Sequence, residues 1–228
     1  MKAFLSFYNS SVGRKMTMSL TGLFLTIFLI EHLIGNLLVL LQDGGAAFET
    51  YSEFLTSNPY AYLPLRFVEA ILFASIILHA WSGFTVWLKN KRARLTKYKE
   101  YGIAENTKFA SRWTAGTALL VFLFLVIHLK AFFWNIRLSG EHVSGYTIAH
   151  QTFSNPYYTW FYVFSFIVLG YHLYHGFQSA FQTLGLKTKK YSTLIETIAV
   201  VFWCIIPLGF ALIPIYILFH PTTLALAK

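Results

Sequence analysis

Cysteine is almost absent from this chain: Cys204 is the only one in 228 residues. That excludes an internal disulfide and any iron–sulfur cluster held by this chain's own thiolates. No Cys-x-x-Cys-His occurs, so any haem here is not attached covalently through that motif. No Gly-x-Gly-x-x-Gly and no phosphate-binding loop occur either, which removes the usual nucleotide and flavin fingerprints. Charge is scarce as well. Charged residues make up 12% of the chain, where a soluble domain carries about 25%. Acidic residues are the scarcer half, nine Asp and Glu against eighteen Lys and Arg, for a net charge of +9. The cations gather in particular loops, a pattern of membrane topology more than of nucleic-acid binding.

What fills the chain is apolar sequence, 56% of all residues, in recurring runs long enough to cross a bilayer as helices. The first run, from about Met18 to Leu41, exceeds the core of about 7–15 residues that a signal peptide carries. Five spans are expected, at about 18–41, 65–88, 112–135, 157–183 and 195–219, in a single all-α membrane domain covering 1–228. The segments between them are rich in polar and helix-breaking residues. Lys2, Arg14 and Lys15 precede the first span, eight Lys and Arg fall within 89–112, and Lys187, Lys189 and Lys190 follow the fourth. The 42–64 segment has none, and the 136–156 segment has only Arg137. The positive-inside rule then puts the N-terminus and both basic loops in the cytoplasm. Trp87 and Trp113 near the inner boundary, with Trp134 and Trp160 near the outer one, match an aromatic belt.

Five of the eight histidines lie inside expected spans: His32, His79, His128, His172 and His175. An ionisable group in a span usually faces the bundle interior and marks function. Depth sorts these five. His32 and His128 stand about 15 and 16 residues past the inner ends of their helices, roughly 22–24 Å from the inner boundary. His79 and His172 are roughly 12–15 Å from it. Two pairs emerge, His32 with His128 and His79 with His172, each from two helices at one depth. Two facing imidazoles suit the axial positions of a haem iron, and filling both leaves electron transfer as the role. Zinc or copper sites gather three or four ligands at one depth, which the two-level pattern disfavours. Small residues accompany the histidines: Gly83 four residues after His79, Gly176 four after His172, and Gly35 three after His32. Residues four apart share a helix face, so glycine there gives a porphyrin room to approach the backbone. His175, with Ser179 at its own fourth position, remains open as an alternative to His172.

The stretches "GLFLTIFLIEHLIGN", "ILHAWSGFTVWLK", "LVIHLKAFFW" and "YHLYHGFQSAFQTLG", in this order and with this loop charge, resemble the diheme cytochrome b subunit of succinate dehydrogenase and quinol:fumarate reductase. The resemblance is to the version with one five-helix membrane chain, and it covers nearly the whole sequence. It implies two b haems in a four-helix bundle plus one peripheral helix. Helices one and three would hold the outer haem through His32 and His128, and helices two and four the inner one through His79 and His172. The family's His-x-x-x-Gly, with a further Gly nine residues on, maps to His172, Gly176 and Gly185, which selects His172 over His175. Some members carry a glutamate two residues before this ligand; here Gly170 stands there. The resemblance also implies a flavoprotein subunit with FAD and an iron–sulfur subunit docked on the cytoplasmic face. The docking surface would be the 89–112 loop and the N-terminal "MKAFLSFYNSSVGRK". The setting would be a bacterial cytoplasmic membrane and the electron partner a quinone, menaquinone by analogy.

Ser19, Trp113 and Lys187 lie at the level of inner-haem propionates, and Arg137 is the cation near the outer one. Glu69, Glu49 and Glu53 are candidates for proton exchange with a quinone. Glu31 adjoins His32 but points about 100° away around the helix. The fifth helix, with Pro207 and Pro214 and no histidine, is expected to pack beside the haem bundle. His142, His150 and His220 are expected in solvent. Two other functions remain in view: the cytochrome b anchor of a hydrogenase or formate dehydrogenase, and a haem-free transporter lined with histidine.

Overall fold

The computed structural model describes residues 7–8, 10–92, 109–139 and 143–221, and for 109–112 the backbone alone. His142, most of the basic 89–112 loop and part of the N-terminal docking stretch lie outside the described residues. Among those residues every regular element is helical. We number the helices α1 (Ser11–Leu37, ending in a 3₁₀ turn, Leu38–Leu40), α2 (Ala46–Ser57), α3 (Pro59–Arg92), α4 (Phe109–His128), α5 (Gly145–Phe153), α6 (Pro156–Thr183) and α7 (Ser192–Phe219). Past His128, α4 runs on through a π-helical stretch, Leu129–Trp134, to Asn135–Arg137.

Local chemistry sets the helix ends. Ser10 opens α1 by accepting from the Gly13 amide at 2.9 Å, and Asn155 opens α6 by accepting from the Tyr157 amide at 2.9 Å, with Pro156 in the first turn. Such N-caps satisfy amides that a helix start leaves unpaired. Gly185 ends α6 with φ +72°, a left-handed geometry that favours glycine. The glycine that the resemblance matched nine residues after Gly176 therefore has a helix-ending duty. Within α1 the hydroxyls of Thr17, Thr21 and Thr26 fold back on carbonyls four residues earlier, at 2.7–3.0 Å, which keeps them satisfied in an apolar setting.

Four of these helices, α1, α3, α7 and the Trp113–Arg137 stretch of α4, are long and apolar enough to cross a membrane. The chain thus has the character of a multi-pass membrane protein. α6 falls short in apolarity because tyrosines and both His172 and His175 dilute it. At 28 residues it is about 42 Å long, enough for the ~30 Å hydrocarbon core. α6 is also the centre of the bundle. It packs on α1, α4 and α7, while α3 lies mainly along α1. Only Ser75 and Ser82 of α3 are buried.

The last helix departs from expectation. α7 is no peripheral strut: Ile206, Pro207, Phe210, Ile213, Pro214 and Ile217 are all buried, and Leu33 of α1 touches the backbone at Gly209. Pro207 has no N–H to give the carbonyl four residues earlier, and the helix widens to a π-turn over Val201–Ile205. The Trp203 carbonyl faces Gly170 of α6, where an added Cβ would stand 2.6 Å from it. Glycine at 170 is therefore a contact requirement, and a glutamate there would drive α6 and α7 apart.

On the expected outer side, α2 and α5 form a cap. Asp43 accepts from the Gly45 and Ala47 amides at 2.9 and 2.8 Å. The Ala47 bond is the main cause holding its carboxyl below the usual range. Glu49 accepts from the Ser144 hydroxyl at 2.6 Å and the Tyr146 amide at 3.2 Å, joining α2 to the start of α5.

Candidate functional site

Histidines from four helices meet in two pairs. The ring centres of His32 (α1) and His128 (α4) are 5.8 Å apart with planes at 88°. Those of His79 (α3) and His172 (α6) are 6.3 Å apart at 80°. The pairs are the ones that depth predicts. Ten positions along α1 separate His32 from Gly22, which touches His79, and ten along α6 separate His172 from Tyr162, which touches His128. Both helices thus give a level spacing of about 15 Å. His172, not His175, is the histidine whose ring meets His79. His175 sits half-buried one turn further along α6.

Aromatic rings line the outer pair. Phe28 stacks on His32 at 5.1 Å, Phe210 of α7 lies 5.7 Å from it, and Phe124, Phe132 and Tyr162 surround His128 at 5.3–6.0 Å. Asn36 donates to the His32 carbonyl at 2.7 Å and brings the same amide nitrogen to 3.4 Å from His32 Nδ1. The inner pair is less crowded. A Cβ on Gly176 would meet nothing within 4 Å, and one on Gly83 would meet only the Met18 sulfur at 3.6 Å. Nδ1 of His79 lies 2.9 Å from the Met18 carbonyl.

A haem held between two imidazoles requires a particular ring spacing. A metal–nitrogen bond of about 2.0 Å, plus about 1.1 Å from nitrogen to ring centre, puts two axial imidazoles about 6.2 Å apart. The two pairs sit close to that value. Among the described residues the buried Nδ1 atoms of His128 and His172 have no hydrogen-bond partner, and neither has the hydroxyl of Tyr162, a residue 1% exposed. Ligation of iron through Nε2 would leave these Nδ1 atoms still without an acceptor, at a cost that burial raises. Among the described residues, His, Cys, Asp and Glu gather nowhere in threes. The donor set therefore suits axial pairs better than a three- or four-ligand metal centre.

The remaining candidates have identifiable neighbours. Glu69 accepts from Arg66 at 2.7 Å and from Arg137 at 3.2 Å, tying α3 to the end of α4. The outer-side cation and one proton-exchange candidate are thus each other's partners. Glu49 serves the start of α5, and Glu53 is exposed on α2. Lys187 reaches Gln178 at 3.1 Å and Glu196 at 3.3 Å, joining α6 to α7. Ser19 is buried on α1, whereas Trp113 is exposed. Glu31 is exposed and accepts from the Tyr51 hydroxyl at 2.5 Å. Burial, and then the Glu31 carboxylate, push the Tyr51 phenol up to about 12. His150 corrects an expectation. It is 3% exposed, not solvated, and packs against Tyr146 at 4.3 Å within α5. His220 is exposed, as expected.

Sequence reasoning missed Gly22, Tyr162 and Phe210, because their contacts cross between helices. Asn36 was open to detection as a lone amide one turn after His32. No family model, no curated protein and no solved structure matches this chain.

Proposed function

We propose that this chain is the diheme cytochrome b membrane anchor of a succinate:quinone oxidoreductase. It would pass electrons between a cytoplasmic iron–sulfur subunit and a membrane quinone. The observation that carries the reading is the two cross-helix imidazole pairs, at 6.3 and 5.8 Å, set about 15 Å apart along the bundle. His79 and His172 hold the inner haem b, and His32 and His128 the outer one. Each haem, when bound, supplies a one-electron couple whose potential depends on its ligands and surroundings. The chain's own residues do the rest. The four histidines fix orientation, and Phe28, Phe124, Phe132 and Phe210 keep water from the outer pair. Gly176 leaves α6 open for a flat ring beside His172.

Five spans follow if α6 crosses with the four more apolar helices, and the loop cations then put the N-terminus in the cytoplasm. Flavin and iron–sulfur chemistry belongs to partner subunits, since this chain has neither a flavin fingerprint nor cluster thiolates. Menaquinone is the quinone by family analogy. The outer-level carboxylates Glu69, Glu49 and Glu53 remain the candidates for exchanging its protons. The test is a reduced-minus-oxidised spectrum of the purified membrane chain. A b-type alpha band is expected, and its absence would leave the haem-free transporter. Co-purification with a flavoprotein is expected, whereas a nickel or molybdenum subunit would point to a hydrogenase or formate dehydrogenase anchor.

A further inference from the structure

Helix α1 supplies no ligand to the inner pair, yet it contacts the His79 ring at three positions. Nδ1 of His79 is 2.9 Å from the Met18 carbonyl and 3.5 Å from the Thr21 hydroxyl oxygen. A carbonyl only accepts. The Thr21 proton is directed at the Thr17 carbonyl, 2.7 Å away, and a hydroxyl has one proton to give. Both groups therefore present lone pairs to Nδ1. A neutral imidazole carries one N–H, and these neighbours put it on Nδ1. That leaves Nε2 with the lone pair that binds a metal. Gly22 completes the arrangement. A Cβ there would stand 2.9 Å from His79 Cε1 and 3.2 Å from Nδ1. The first distance is shorter than real Cβ contacts allow, so a larger residue requires the ring or the two helices to shift.

We infer that Met18, Thr21 and Gly22 form a positioning cradle that fixes the tautomer and orientation of His79 and so assembles the inner haem site. The inference rests on the haem reading above and extends it to a helix that contributes no inner ligand. Gly22 provides clearance, the Met18 backbone provides the acceptor, and Thr21 provides a second, longer contact. Among the described residues His32 has no such carbonyl: its Nδ1 meets the side-chain amide nitrogen of Asn36 at 3.4 Å. The cradle therefore acts on one pair only.

The test uses the full chain in its membrane complex and reads haem content and low-spin electron paramagnetic resonance signals, not turnover. Gly22→Val is expected to halve the haem per chain, and the surviving signal should equal the one that survives in His79→Ala. Thr21→Val should keep both haems and move the signal and midpoint potential of the inner one alone. Gly116→Ala, where a Cβ meets only the Trp113 ring at 3.6 Å, is the control for adding a methyl group to a helix and should change neither haem. If Gly22→Val does not accumulate, Gly22→Ala decides, with a shifted inner signal expected. Two haems with unchanged signals in the Gly22 variants, or selective loss of the haem that depends on His32, would overturn the cradle. A wild-type chain without haem would overturn the proposed function itself.

Discussion

His79 meets His172 at 6.3 Å and His32 meets His128 at 5.8 Å, yet different atoms hold the two pairs. At the inner level a backbone carbonyl of α1 takes the Nδ1 proton of His79, and a glycine lets the helices close. At the outer level aromatic rings from α1, α4, α6 and α7 do the holding. Among the described residues each pair leaves one buried Nδ1 without a hydrogen-bond partner, that of His172 at the inner level and that of His128 at the outer, where the Tyr162 hydroxyl is a second such atom. A hydrogen bond fixes direction, while packing fixes volume. The inner site should therefore respond to changes in clearance and acceptors, and the outer site to changes in bulk.

The largest effects should separate the pairs outright. His79→Ala or His172→Ala should remove the inner haem and keep the outer, and His32→Ala or His128→Ala should do the reverse, each halving haem per chain. His175→Ala should leave both spectra bis-imidazole. Loss of haem in that variant with retention in His172→Ala would reverse the ligand choice. Next comes Phe210→Ala. Truncating a buried phenylalanine costs about 3–5 kcal/mol, and this one touches His32 and Phe166. Its thermal midpoint should fall and the outer signal should broaden, while the inner signal stays. An inner signal that moved as much as the outer would break the division between the pairs.

The smallest effect concerns the outer cap. Burial holds the His150 imidazole below its ordinary 6.5. The folded cap keeps the ring neutral where the unfolded segment takes up a proton. The cap is therefore fully stable above about pH 6.5 and loses stability as the pH falls below it, by at most about 1.4 kcal/mol per unit. The protection of α5 amides, taken as exchange relative to the intrinsic rate at each pH, should fall on acidification through that range and stay level in His150→Gln. The haem signals of both pairs should be indifferent to that substitution.

The two-level histidine arrangement was legible in the sequence because a helix converts position into depth at about 1.5 Å per residue. Histidines on separate helices at one depth have few partners available. Helix extents were legible for the same reason that apolar runs mark spans. What sequence could not supply were neighbours set by the way helices cross. Gly22 and His79 stand 57 positions apart, and Glu69 and Arg137 stand 68 apart. Nothing local in either stretch announces its partner. The stretch 157–183 was legible as a span, but not its central place: Tyr162 and His172 turn into the bundle while Tyr157, Tyr158 and Tyr174 of the same helix are exposed, and nothing local separates the two sets. Helix α7 lacks histidine and so looked peripheral, until Pro207 and Gly170 brought it against α6. His150 lies between spans, where solvent is the default, but the Glu49 bonds to Ser144 and Tyr146 fold that segment into a helix that buries it.

The central claim is that four histidines form two axial pairs. The most direct measurement is haem b per chain in the purified complex, determined together with the number of low-spin signals. The account predicts two haems and two distinct bis-imidazole signals, one lost with His79 and the other with His32. One haem per chain, or a single signal that depends on all four histidines, would contradict it.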